Sequence, residues 1–99
     1  MIVVTGRAIV KQEKLAEAIA SASDMTRFSR AEPGCITFQM YSNPQNPVAF
    51  FLFEEWETQA DLDAHFQSEH FKRFSAVLPE LVDDAMVMRR YEVKDISQF

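Results

Sequence analysis

The spacing of apolar residues changes period along this chain, and that change restricts its fold more than any other feature. From Ile2 to Val10 β-branched residues dominate and proline is absent, which suits a strand, with apolar side chains on both of its faces. From Lys11 the period becomes helical. Leu15, Ala18, Ile19, Ala22 and Met25 form one stripe, with Lys14, Glu17, Asp24 and Arg27 largely outside it and Phe28 unexplained by it. Glu32-Pro33-Gly34 closes this helix, since proline cannot continue the register and glycine can take the left-handed turn that releases the chain.

Cys35 to Tyr41 then alternates, Ile36, Phe38 and Met40 against Thr37, Gln39 and Tyr41. The turn formers from Ser42 to Pro47 predict a hairpin with a longer loop, and Val48 to Trp56 is its second arm. Phe50, Leu52, Glu54 and Trp56 share one face of that arm; Ala49, Phe51, Phe53 and Glu55 share the other. Thr58 to Asp61 resembles a capping box with Asp in place of Glu, placing a helix start ahead of Leu62, His65 and Phe66. Ser68 restarts or bends it. A second stripe of Phe71, Phe74, Val77 and Leu78 runs to Pro79, which ends or kinks the segment. Leu81 to Val93 reads as the last strand, followed by a tail that frays unless a partner holds it.

The order β-α-β-β-α-β predicts a ferredoxin-like α+β fold in one domain, residues 1–99: a four-stranded antiparallel sheet with both helices on one face. The other face keeps apolar side chains on its first and third strands. A second copy packed sheet against sheet would cover them, so the expectation is a homodimer forming a dimeric α/β barrel. The balance of 15 acidic against 10 basic residues gives a net charge of -5, which repels polyphosphates and anionic lipid, so neither nucleic acid nor membrane is an expected partner. A single cysteine, Cys35, permits no internal disulfide and fits the reducing cytoplasm, and no apolar run approaches the roughly 20 residues that span a bilayer.

Three stretches carry a family resemblance: Ala31-Glu32-Pro33-Gly34-Cys35, then Phe53 to Thr58 with Glu54 and Trp56, then Ala64 to Phe71 with His65 and His70. Together they resemble the antibiotic biosynthesis monooxygenase superfamily, which shows a Glu-Pro-Gly-Cys turn after its first helix, a glutamate and an aromatic ending its third strand, and two histidines five apart. The short quinol monooxygenases look most similar. The resemblance implies oxygenation of a small electron-rich aromatic by O₂ without metal or flavin: a base removes a phenolic proton and the anion passes an electron to O₂. A pocket lined by Trp56, Phe66, Phe71 and Phe74 would suit a flat aromatic ligand, with Tyr41 placed to hydrogen-bond a phenol. His65 would move protons near neutral pH, and Glu54, on the strand face of Leu52 and Trp56, is the second catalytic candidate.

Each residue also has a plainer reading. His65 would satisfy a carbonyl within the core, and His70 would cap a helix or face water. Trp56 and the phenylalanines would be packing, and Tyr41 a strand-end residue with a wet hydroxyl. Glu54 would be either a buried carboxylate with a raised pKa or one held by Arg7, Arg89 or Arg90, the pairing being favoured. Cys35 reads as a small buried hydrophobe. A zinc site built from the two histidines is disfavoured, because a spacing of five does not put both rings on one helical face and no third ligand is evident. The haem-degrading branch resembles this chain at Trp56 but uses an asparagine where Thr5-Gly6 stands and a histidine near Phe74-Ser75, which disfavours haem chemistry. The alternatives are an isomerase or tautomerase of a small carbonyl compound, using His65 and a carboxylate, or a ligand-binding dimer without turnover.

Overall fold

The computed structural model describes residues 1–84 and 86–99 and contains the expected order: β1 (Ile2–Ile9), α1 (Leu15–Arg30), β2 (Cys35–Asn43), β3 (Asn46–Trp56), α2 (Gln59–Phe66), α3 (Glu69–Leu81) and β4 (Val87–Glu92). The strands form one antiparallel sheet in the order β2-β3-β1-β4, so the two crossovers place the central pair β1 and β3 side by side. This is the ferredoxin-like arrangement read from the sequence. Ile2, Val4, Phe38, Leu52, Glu54 and Trp56 point toward the helices and are buried there with Met25 and Leu62. Val3, Thr5, Phe51, Phe53, Gln39, Tyr41, Arg89 and Tyr91 alternate with them in register and occupy the opposite face.

Three expected boundaries shift, each for a local reason. The Ser42–Pro47 loop is a two-residue turn: the arms stay paired out to Asn43 and Asn46, and Asn43 Oδ1 accepts the Gln45 backbone N–H at 2.8 Å. That side-chain bond replaces the longer loop the turn formers implied. Pro79 does not end its helix; α3 runs to Leu81 with Pro79 exposed near its last turn, where the missing N–H disturbs little. The last strand therefore begins at Val87 rather than Leu81. Val82 makes only an isolated bridge to Val10, and Asp83 N–H reaches Ile9 O at 2.8 Å. Ala85, within that expected strand, lies outside the described residues. Among the described residues no helix is long and apolar enough to cross a membrane.

Two caps seat the elements around the site. Thr58 Oγ1 accepts the Asp61 N–H at 3.1 Å, as the capping-box reading requires, and Ser68 Oγ accepts the Phe71 N–H at 3.2 Å to start α3. Ser68 also donates to His65 O at 2.7 Å, stitching the end of α2 to the start of α3. The chain bends between Phe66 and Glu69 because Ser68 is extended there.

Candidate active site

Glu32 is placed by the turn that ends α1. Cys35 N–H returns to Glu32 O at 3.2 Å, and Gly34 takes φ 80°, which brings its α-carbon so close to Asp61 that any Cβ would strike the Asp61 carboxyl. The same turn is fixed to the end of β3 by Glu57 N–H donating to Gly34 O at 2.9 Å. This locks the Glu32 side chain beside the α2–α3 bend.

There one oxygen of Glu32 collects both histidines. His65 Nδ1 lies 2.6 Å and His70 Nε2 2.8 Å from Glu32 Oε2. A carboxylate oxygen only accepts, so each of these ring nitrogens carries its proton, and His65 keeps the lone pair on Nε2. That lone pair faces Glu54, whose Oε1 is 4.0 Å away and accepts the Trp56 indole N–H at 2.8 Å. The result is a continuous row, His70–Glu32–His65–Glu54–Trp56, running from near the surface into the layer between sheet and helices.

Burial sets the protonation of this row. His65 is 1% exposed, Glu54 3% and Trp56 0%. Burial pushes the Glu54 carboxyl up to about 7, with the charge of Glu32 adding to the rise and the Trp56 indole N–H opposing it. Burial lowers the His65 pKa, although its bond to Glu32 pulls it back upward. Near neutral pH the imidazole is therefore neutral and the carboxyl close to half ionised, so their 4.0 Å approach is not a settled ion pair. It also exceeds direct hydrogen-bond range, but a hydroxyl oxygen placed off the line joining them is within reach of both. Cys35 goes the other way from a reactive thiolate: burial first, then the negative charges of Glu32 and Glu54, raise its thiol to about 11.

The aromatic residues pack on the imidazole. Trp56 lies 4.9 Å and Phe71 5.2 Å from His65, centroid to centroid, with Phe38 at 5.6 Å. Trp56, Phe71 and Phe74 are thus core around the site, while Phe66 is 41% exposed and touches it only at the ring edge of α2. The pocket expected between Trp56, Phe66, Phe71 and Phe74 is filled by these rings. Farther along the same layer, a volume of about 30 Å³ lies between Gly6, Ala18, Leu52, Phe74 and Leu81, enough for about a water molecule and too small for an aromatic ring. A ligand-sized space of about 610 Å³ lies outside, between α1 and the β2–β3 hairpin, lined by Ile19, Arg30, Gln39, Met40, Tyr41 and Phe50 among others. Met40 and Phe50 border both volumes. Met40 pairs in register with Leu52, two residues along from the Phe38–Glu54 pair, so this cleft ends roughly 7 Å from the buried carboxyl.

Three readings of individual residues are corrected. Glu54 is held by an indole rather than an arginine: Arg90 reaches Gln59 and Arg7 lies over Phe51 on the other face. The histidines do converge, because residues 65–70 are not one helix; the bend turns His70 back toward His65, and Glu32 is the third ligand that the local sequence could not display. His65 Nδ1, His70 Nε2 and a Glu32 oxygen lie within 4.8 Å of one another, the set among the described residues with the donors for a metal ion. Phe28, off its helical stripe, stacks on His70 at 5.7 Å with Arg27 and Arg73 over its ring.

A ferredoxin-like sheet carrying a Glu-Pro-Gly-Cys turn, a strand-end Glu-x-Trp and a buried histidine on the second crossover defines a small α+β class of proteins. The antibiotic biosynthesis monooxygenase family profile matches residues 1–77, and the chain belongs to that family. It is 35% identical over 94 residues to an uncharacterized protein of Synechocystis sp., matching 95% of this chain and spanning 64% of that relative's length, just under two thirds. It is 31% identical to a conserved protein from Methanosarcina mazei Go1, with a TM-score of 0.88 over 94% of this chain and 92% of that one. A Deinococcus radiodurans structure described as a putative antibiotic biosynthesis monooxygenase superposes with a TM-score of 0.92 at 19% identity, over 100% of this chain and 98% of that one, which is a likeness of fold alone.

Proposed function

We propose that this protein is a cofactor-independent monooxygenase acting on a small polycyclic phenol or quinol. The observation that carries the reading is the buried Glu54–His65 pair: a carboxyl and an imidazole lone pair face each other across 4.0 Å beneath aromatic rings. One oxygen of a substrate could sit between them. Family membership supports oxygenation as the chemistry.

In this reading the aromatic enters the cleft between α1 and the hairpin, and Met40, an adaptable side chain, moves aside to bring the ring's oxygen to Glu54 and His65. His65 Nε2 or ionised Glu54 takes the phenolic proton, and Glu32 fixes the tautomer that leaves Nε2 free. The resulting anion donates an electron to O₂. For an anthrone-like methylene the balance is CH₂ + O₂ → C=O + H₂O, with all four electrons supplied by the substrate. Tyr41, 55% exposed on the cleft wall, is left to hydrogen-bond the far end of the ligand.

A second copy of the chain belongs to the same proposal. Val3, Phe51, Phe53, Val87 and Tyr91 share the sheet face that the helices leave open, and a sheet-to-sheet homodimer in the cytoplasm would cover them. Sedimentation at micromolar concentration should give twice the chain mass; a monomer would refute the pairing without touching the site.

Oxygen-electrode screening of anthrones and quinols tests the activity. Stoichiometric O₂ uptake that falls at least 100-fold in His65→Ala and Glu54→Gln supports it. The same acid–base pair also suits isomerisation of a small carbonyl compound, and product formation without O₂ uptake would select that reading.

A further inference from the structure

We propose that Glu32, His65 and His70 form a binding site for one divalent transition-metal ion of the zinc type. Their donor atoms come from three separate segments, the turn after α1, the end of α2 and the first turn of α3, and lie within 4.8 Å of one another. Two imidazole nitrogens and one carboxylate oxygen make a borderline donor set, which suits Zn²⁺, Co²⁺ or Ni²⁺ and discriminates against Mg²⁺ and Ca²⁺.

The geometry needs only small movements. Tetrahedral ligands at zinc distances stand roughly 3.3 Å apart. The 2.6 Å and 2.8 Å contacts to Glu32 Oε2 must therefore open by roughly half an ångström, while the two nitrogens close on each other. The backbone around these side chains is held by the Gly34 turn and the Ser68 cap, so the ligands start close to one another without prior folding cost.

A carboxylate that could become an outer partner lies 4.0 Å from the ring, and a small side-chain shift would bring it into hydrogen-bond range. A metal on His65 Nδ1 obliges the ring to carry its proton on Nε2, and that nitrogen faces Glu54 Oε1, itself oriented by the Trp56 indole. Metal-bound histidines commonly give their second N–H to such a carboxylate. Phe28 stacked on His70 and Phe71 against His65 would shield the ion, leaving the fourth position to water or the second Glu32 oxygen. The site shares His65 and Glu32 with the oxygenase reading but does not rest on it. A metal would place a proton on the nitrogen that reading uses as a base, so the two occupy the same imidazole in different states.

The test uses tag-free protein stripped with EDTA and titrated with Co²⁺ alone. The expected result is one equivalent bound, with the visible d–d absorption of four- or five-coordinate Co²⁺ and displacement by Zn²⁺. His70→Ala and Glu32→Gln should each weaken binding by more than roughly 100-fold, beyond the loss from an outer partner. Circular dichroism melts verify that each variant folds, and His70 is near enough to the surface for its removal to be tolerated; if one variant fails to fold, the other decides. Absence of binding, or binding that survives in the folded variant, overturns the site. Either result leaves O₂ uptake as the separate judge of the oxygenase reading.

Discussion

The two ends of the layer between sheet and helices are built from similar strands and reach opposite states. At one end Glu54, Trp56, Phe38, Leu62 and His65 fill the layer completely and hold a polar row inside it. At the other, Val10, Ala18, Leu81 and Phe50 are wholly apolar and leave a small void that shares Met40 and Phe50 with the exterior cleft. Most buried polar groups have a partner. The end with chemistry is packed tightly, and the ligand-sized space lies outside the layer, between α1 and the hairpin.

Trp56→Ala attacks the filled end hardest. It removes the largest buried side chain and the donor to Glu54 together, and should cost about 3–5 kcal/mol by urea denaturation, against about 2–3 kcal/mol for Leu81→Ala beside the existing void. Equal costs would erase the contrast between the two ends.

Glu54→Gln should act with a pH dependence. The folded carboxyl titrates at about 7 and the unfolded one near 4.5. Between these values the folded chain keeps a proton the unfolded chain has lost, so wild-type stability falls as pH rises through that window and levels off above it. Glutamine keeps an oxygen for the indole and cannot ionise. The variant should gain about 2–3 kcal/mol at pH 8 and nothing at pH 4, read from paired thermal melts. His65 works with the opposite sign: its lowered pKa makes the native state lose stability as pH falls below the ordinary imidazole value of 6.5.

Glu32→Gln should cost about 1–2 kcal/mol, since it weakens two charge-assisted bonds at once. It should also lower the His65 pKa further, because the Glu32 bond is what raises it, and an NMR titration of the ring would show the shift. The smallest effect belongs to Gly6→Ala at the apolar end. Its Cβ would meet Met88 Sδ at 2.6 Å, but that atom lies near the end of a flexible side chain on the edge strand, so the cost should stay within about 1 kcal/mol.

This contrast explains what could be read from the sequence. Strand and helix periods are local, so the order of elements, the Thr58 cap and the break at Ser68 followed from neighbouring residues. The role of Glu32 did not, because it sits 33 residues from His65 and meets it only after a crossover. Its visible signal was the Pro33-Gly34 turn, which had marked a helix end and also aims a carboxylate. Glu54 was legible as either a buried carboxylate with a raised pKa or an arginine's partner; the Trp56 indole, two positions away on the same strand face, was the nearer donor. The filled pocket was missed because a stripe of aromatic rings reads alike whether it lines a cavity or occupies it.

The ionisation of Glu54 bears most directly on all of this. A ¹³C NMR titration of the Glu54 side-chain carboxyl, in EDTA-treated protein, should give a midpoint near 7 with the His65 ring neutral throughout the transition. A midpoint near the ordinary glutamate value of 4.5 would show a solvated carboxylate and contradict the buried acid–base pair.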